Sequence, residues 1–401
     1  MDIFERLGID PIINAKGPAT RLSGGILRPE VAQAMVEASR RCVDIAAMQA
    51  AAGSYIAEVT GAEGGYVTAG AASGLMLSAA ACIAGHDLGA MDRLPHTRGL
   101  KNEIIVARSQ RNMYDHAVRT SGARLVEIGI ADRYAGAGVR DAEPWEYDAA
   151  INDRTAAIYY VAAPGNQPSL PEVVAVAHAS GIPVIVDAAG QLPPMANLKR
   201  FIAEGADLVC FSGGKAIGGP QASGILAGRR DLVMSVAMQH LDMDTAPGRW
   251  NPPASLIDRN TINGMPRDGI GRVCKVGKEE IAGLVTALRL ALEEDASGAL
   301  RAGWSKHITR LAEGLAGLNN ATLTVRDDPE RDPVPMLAIT VDEKALGRSA
   351  EEVLVELERG TPAIYMEPGE LDNATLIAQP QCLAEGEAHI MAERIKAALR
   401  A

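Results

Sequence analysis

The sequence predicts an α/β protein with a mostly parallel sheet in a large domain and a smaller α+β domain beside it. Three observations carry that expectation. The chain has 401 residues, of which 47% are hydrophobic; this is too long for one typical domain and enough for a sizeable core. Short apolar runs alternate with helical patterns, the mark of strands joined by crossover helices. There is no low-complexity stretch and no convincing internal repeat.

The elements follow in order. The N-terminal stretch PIINAKGPATRLSGG is rich in turn formers. A helical pattern opens at Pro29 with PEVAQAMVEASRRC, and proline suits a first helical turn because its missing N–H would be unpaired there. A second helix is expected over residues 45–59. Strand candidates are GGYVTAG (64–70), EIIVAR (103–108), RLVEIG (124–129), AAIYYVA (156–162), PVIVDAA (183–189), LVCFSG (208–213) and SGILAG (223–228). The helix EVVAVAHASG ends at Gly181, and Pro183 opens the next strand. A long helix over 276–296 leads to a C-terminal domain holding PMLAITVDE, the helix SAEEVLVELERG and a final helix. The expected division is an N-terminal segment 1–44 that goes with the small domain, a large domain 45–285 and a small domain 286–401.

Composition narrows the partners. The formal net charge is -11, so the broad basic footprint of a nucleic-acid binder is missing. The five cysteines (Cys42, Cys82, Cys210, Cys274, Cys382) are scattered. They form no CxxC pair or Cys/His cluster, so zinc and disulfide frameworks are not expected. MDIFERLGID lacks a signal-peptide pattern, and no apolar run is long enough to span a membrane. A cytoplasmic setting follows as an expectation, with no membrane partner.

Two residues carry the chemistry. Asp187 ends the apolar run VIVD, and Lys215 follows the next strand within FSGGKAIGGPQ. At the carboxyl ends of neighbouring parallel strands both side chains face one crevice, where open α/β sheets bind ligands. Pyridoxal phosphate needs that pair: a carboxylate to stabilise its protonated ring nitrogen and a lysine amine to form the Schiff base. Gly213, Gly214, Gly218 and Gly219 let backbone approach a cofactor closely, and Ser212 has a hydroxyl to offer its phosphate. The turn TAGAASG, with Ala71, Ala72 and Ser73, exposes N–H groups at a helix start, where an anion is favoured. Blander alternatives stay open: a strand-end Asp is often a helix N-cap, and a lysine among glycines can be a solvated cation on a tight turn.

RTSGARLVEIG, DLVCFSGGKAIGGPQASGILAGRRDLV, INAKGPATRLSGG and GIGRVCKVGKEE together resemble bacterial selenocysteine synthase and its shorter relatives, among them D-glucosaminate-6-phosphate ammonia-lyase. The likeness covers about residues 10–300, and FSGGK-x-x-GGPQ-x-G is its specific part. The resemblance implies the fold type I pyridoxal-phosphate architecture. It makes Lys215 the cofactor-linked lysine and Asp187 the partner of the ring nitrogen, with Ala71, Ala72, Ser73 and Ser212 at the phosphate. It also implies a flat side chain over the ring from the loop SQRNMYDH, with Gln110 first and His116 second, the latter equally a surface histidine. Asn166, Gln167 and Gln191 are candidates for the phenolic oxygen. Arg272 or Lys275 would reach the phosphate of a neighbouring subunit, since such enzymes form homodimers or larger symmetric assemblies. Arg267 would grip a substrate anion through its guanidinium, although these basic residues equally make a solvated cluster.

The synthase carries an additional N-terminal helical region for tRNA, whereas this acidic chain starts almost directly at INAKG. A tRNA substrate is therefore not expected. The favoured reaction is an ammonia-lyase elimination from a hydroxylated amino acid or amino sugar acid. Racemase, aldolase and β-replacement transferase share its first steps and remain alternatives, as does a non-catalytic binding protein on the same fold. Substrate contacts are sought in TRLSGG (Thr20), in MQHLDMDTAPGRW (His240, Asp242, Asp244, Trp250) and in TPAIYMEPGELDN.

Overall fold

The computed structural model describes residues 2–131 and 139–400. Contacts divide it into two units, one of residues 29–288 and one of residues 1–28 with 289–401. The helix Pro29–Ser39 thus falls in the larger unit, not with the N-terminal segment.

The larger unit is built on one seven-stranded sheet. Its strands are numbered here in chain order: β1 Gly64–Thr68, β2 Glu103–Ala107, β3 Arg124–Ile128, β4 Thr155–Val161, β5 Val184–Asp187, β6 Leu208–Ser212 and β7 Gly224–Gly228. The spatial order is β1-β7-β6-β5-β4-β2-β3. All neighbours pair in parallel except β7, which runs antiparallel to both β1 and β6. The carboxyl ends of the other six strands therefore meet at one edge, and β7 begins at that edge.

The near-continuous apolar runs of the central strands reflect burial on both faces. Ile104, Ile158, Ile185, Val186, Leu208 and Phe211 are all fully buried. Over one face lies the helix Ala71–Ala84, whose sequence AASGLMLSAAACIA has small residues where the sheet presses closest. Gly74 faces Cys210, and a Cβ there would stand 3.0 Å from its Sγ. The smaller unit has a three-stranded antiparallel sheet of Ala321–Arg326, Met336–Val341 and Thr375–Ala378. The helix Ala350–Arg359 packs there with a full capping box from Ser349 and Glu352, closing two orphan donors at its start. A short parallel pair, Ile13–Ala15 with Ile364–Met366, ties the N-terminal stretch to this unit. Among the described residues no helix is long and apolar enough to cross a membrane.

Candidate active site

Asp187 is the last residue of β5 and is 7% exposed. Strand alternation puts it on the same face as Ile185, toward the helix Ala71–Ala84. The neighbouring strand β4 pairs Tyr159 with Ile185 and Val161 with Asp187. From one row deeper the Tyr159 hydroxyl donates to Asp187 Oδ2 at 3.1 Å. The N–H of Ala189 donates to Oδ1 at 3.0 Å. Burial pushes the Asp187 carboxyl above the usual carboxylate range, while Ala189, Tyr159 and the charge of Lys215 pull it back.

Lys215 follows β6 on a loop made tight by glycine. Gly213 N–H donates to the Ser223 carbonyl and Gly219 N–H to the Gly213 carbonyl, each at 2.9 Å. A Cβ on Gly213 would lie 2.3 Å from Ser223 Oγ, and one on Gly214 2.7 Å from Gln221 Cα. A larger residue at Gly213 would have to displace the Ser223 and Leu284 side chains, and one at Gly214 would have to move backbone. Lys215 Nζ rests over Gly190, 3.9 Å from where a Cβ would be. Burial lowers the pKa of this amine and Asp187 raises it, so the two groups are near enough to shape each other's ionisation.

The anion turn is built by the start of β7. Gly224 pairs with Thr68 of β1 and Ser212 of β6, which brings the Ser212 position beside the turn. The helix begins at Ala71 after Gly70, whose φ of 96° and ψ of 163° suit glycine. No side chain caps this end, so its first N–H groups lack the usual acceptor. The Ser73 hydroxyl donates to Cys274 Sγ at 3.2 Å. Ala71 and Ala72 contribute backbone only.

Gln110 ends the short helical turn after β2 and is 7% exposed. Its Oε1 accepts from the Val161 N–H at 2.9 Å, one residue pair from Asp187. Its Nε2 is buried without a partner among the described residues. Arg111 holds the loop by bonding Asp115 and Glu127. Asn166 donates to the Val161 carbonyl at 2.7 Å. Gln191 is half-buried and its carbonyl accepts from Asn197 at 2.7 Å. The N–H donated by Val161 and the carbonyl it presents thus gather Gln110 and Asn166 at the Asp187 end of the sheet. No hydrogen bond ties the Gln167 side chain among the described residues.

Other candidates fall elsewhere. His240 is 3% exposed. Its Nε2–H donates to the Cys274 carbonyl at 3.0 Å, and Nδ1 accepts from the Tyr66 hydroxyl at 2.8 Å. With both nitrogens used and burial lowering its pKa, it is a core histidine and not a substrate contact. Trp250 is likewise buried, beneath the guanidinium of Arg259. Arg272 bonds Asp242 at 2.7 Å and faces Asp268 at 3.6 Å, so its charge is already answered within the chain. Asp244 and Lys275 are exposed. His116 stands exposed on a short surface helix, bonded to Arg119. Arg267 is exposed and 3.6 Å from Asp92. Thr20 lies exposed in the smaller unit. The sequence reading missed Tyr159, because its reach to Asp187 depends on strand register.

The five cysteines are free. No cluster of metal-ligating side chains occurs among the described residues.

Comparison with known proteins places this geometry. Residues 36–244 match the SelA family, described as L-seryl-tRNA selenium transferase. The 5'-C-glycyluridine monooxygenase-decarboxylase of a Streptomyces species is 32% identical over 97% of this chain and 90% of its own length. The D-glucosaminate-6-phosphate ammonia lyase of Salmonella typhimurium is 28% identical over 98% of this chain and 97% of its own. The L-seryl-tRNA(Sec) selenium transferase of Rhizobium meliloti is 30% identical, over 59% of this chain and 52% of its own. A solved D-glucosaminate-6-phosphate ammonia-lyase superposes with a TM-score of 0.81 over 100% of this chain and 98% of that one, at 28% identity. The cysteine desulfurase CsdA of Escherichia coli shares the fold at a TM-score of 0.54 and 16% identity, over 97% of this chain and 95% of that one. The chain belongs to the SelA family and has the fold of the type I pyridoxal-phosphate enzymes.

Proposed function

We propose that the protein binds pyridoxal 5'-phosphate between Asp187 and Lys215 and, as a lyase, releases ammonia from a hydroxylated amino acid or amino sugar acid. The single observation that carries this is the buried Asp187 carboxylate. It makes no ion pair within 4 Å among the described residues, yet it looks toward a lysine whose amine is itself partly desolvated. A buried anion of that kind calls for a cation, and the protonated ring nitrogen of the cofactor is one. The rest of the site suits the same group. The uncapped helix start at Ala71–Ser73 favours a phosphate. The glycine loop gives backbone access, and the unspent Gln110 Nε2–H offers a donor.

When bound, pyridoxal phosphate supplies an aldehyde that condenses with amines and a cationic ring that draws electrons from bonds at the substrate's α-carbon. The chain's own groups do the rest. Asp187 would hold the charge of the ring nitrogen. Lys215 Nζ would hold the cofactor and, once freed by the substrate amine, would take the α-proton. Its lowered pKa leaves more of it as free base. The β-hydroxyl departs as water, and one water is consumed when the nitrogen is hydrolysed off. In sum, a β-hydroxy α-amino acid becomes a keto acid and ammonia. The full-length likeness to the Salmonella ammonia lyase supports this outcome.

The setting is a homodimer or larger symmetric assembly in the cytoplasm, which light scattering and cell fractionation test. The reaction is tested with purified protein loaded with cofactor and a panel of β-hydroxy amino acids and amino sugar acids. The expected results are an absorption band at about 410–430 nm and ammonia with keto acid in equal amounts, both lost in Lys215→Ala. No band, or no release across the panel, overturns the reading. A second reading rests on the 32% identity to the Streptomyces monooxygenase-decarboxylase. Oxygen uptake with carbon dioxide release, in place of ammonia, selects it.

A further inference from the structure

We propose that Tyr159 is a positioning residue of this site: its phenol fixes the plane and the ionised form of Asp187, and so sets how strongly the chain holds a cationic ring nitrogen. The proposal rests on the cofactor reading above and deepens it.

The geometry is two donors on two oxygens. Tyr159 holds Oδ2 from β4 and Ala189 holds Oδ1 from the chain just beyond β5. Tyr159 lies on rigid backbone, since β4 and β5 pair through four consecutive residues, and the chain just beyond β5 is tied to β6 by the Ala188 N–H donating to the Cys210 carbonyl at 2.9 Å. The carboxylate is thereby clamped against rotation, with lone pairs to spare for one more partner. A carboxylate accepts both bonds; an aspartic acid must spend one oxygen on its own proton. The clamp therefore favours the charged form.

Tyr159 is fully buried. Desolvation, with the Asp187 charge next, pushes its phenol far above the ordinary value, so it remains a donor at any working pH. Three other groups bear on the pair. Lys215 stands on the loop after β6. Cys210 on β6 is kept a thiol by burial, which raises it to about 12. Asp115 acts on Tyr159 from the loop after β2. The covering helix Ala71–Ala84 carries no charged residue and presents Ser78 to Cys210. Of these, only Lys215 opposes the desolvation of Asp187 from outside its hydrogen bonds. Removing the phenol thus takes away one of three restraints.

The test titrates cofactor-free protein with pyridoxal 5'-phosphate from pH 5 to 9 and follows binding by absorbance and fluorescence. A hydrogen bond to a charged group predicts a Kd about tenfold weaker at pH 7 in Tyr159→Phe. The pH below which affinity falls should move upward by about one pH unit, because Asp187 now protonates more easily. Tyr147→Phe is the control. Its phenol is buried with no hydrogen-bond partner among the described residues, and its loss should leave both quantities unchanged. In an Asp187→Asn background there is no carboxylate to tune, so adding Tyr159→Phe should change Kd less than about twofold. The proposal fails if Tyr159→Phe binds like the parent, if it loses the same factor at every pH, or if its full effect persists beside Asp187→Asn. A parent protein that binds no cofactor at all overturns the cofactor reading itself, and is seen before any variant is compared.

Discussion

Gly224→Ala offers a direct way to ask whether the approach of β7 to the helix start matters. The added methyl would stand 2.5 Å from the Gly70 carbonyl carbon and 2.8 Å from both Ala71 N and Thr68 Oγ1. Carbon contacts settle at about 3.5–4.0 Å, so the turn must retreat by roughly 1 Å. The obstacles are mostly backbone, which cannot rotate away as a side chain would. Overpacking of this kind costs about 1–3 kcal/mol, and the upper end is expected here. Gly224 does not have a positive φ, so alanine brings no backbone strain of its own and the contact is isolated. A shift of that size spoils hydrogen bonds whose working range is only about half an ångström wide. Affinity for pyridoxal 5'-phosphate should fall about tenfold to a hundredfold, since bonds to a charged group are worth about 1.5–3 kcal/mol. Pyridoxal without its phosphate should bind as it does to the parent. Urea denaturation measures the first effect, and paired titrations with the two vitamers measure the second. Equal losses for both vitamers would show that the turn does not hold the phosphate, and unchanged stability would show that the approach is not tight.

Two further predictions concern the scaffold. The folded-state pKa of His240 is lowered by burial, so the unfolded chain takes up the proton first. Stability from this residue is present above the unfolded value of about 6.5 and is lost as pH falls through it. Urea midpoints between pH 7 and 5 should fall less steeply in His240→Gln than in the parent; identical slopes would remove His240 as a cause. Glu103, buried at the start of β2, accepts from Arg124 at 2.9 Å and from Asn152 at 2.9 Å, and it also pairs with Arg154. Both arginines are largely exposed and water can serve them, so Glu103→Gln should cost only about 1–2 kcal/mol in urea denaturation.

Much of the scaffold could be read before it was seen, for a physical reason. The seven strands of the large sheet are apolar runs bounded by glycine, proline or charge, and burial on both faces demands such runs. The direction of a strand is not written in its composition, so SGILAG gave no sign that β7 runs against its neighbours. The placement of Asp187 and Lys215 at one edge of the sheet was legible because each ends or follows a strand, and parallel strand ends gather there. Tyr159 was not, because whether a side chain two residues back reaches Asp187 is decided by the pairing of β4 with β5. His240 and Trp250 misled in the opposite way. Their segment looks polar and exposed in sequence, but His240 closes the buried helix Arg230–His240 and joins Tyr66 to the Cys274 carbonyl.

The placement of these residues bears on how one scaffold serves different reactions. Two relatives that match nearly the whole chain are named for unlike chemistries, a monooxygenase-decarboxylase and an ammonia lyase. On the function proposed above, Asp187 and Lys215 would act at the ring and the α-carbon, which every such reaction uses, so they would not make the choice. The choice must come from groups that meet the substrate's other bonds. His240 and Trp250 are withdrawn into the core, and Arg272 is spent on Asp242 and Asp268. Gln110 differs from them: its carbonyl oxygen is anchored to Val161, the residue paired with Asp187, and its amide Nε2 is buried with no partner among the described residues. A buried donor left unmatched costs about 1–3 kcal/mol, and binding an oxygen there recovers it. Gln110 is therefore a sequence-selected residue whose bonding still depends on what the site holds.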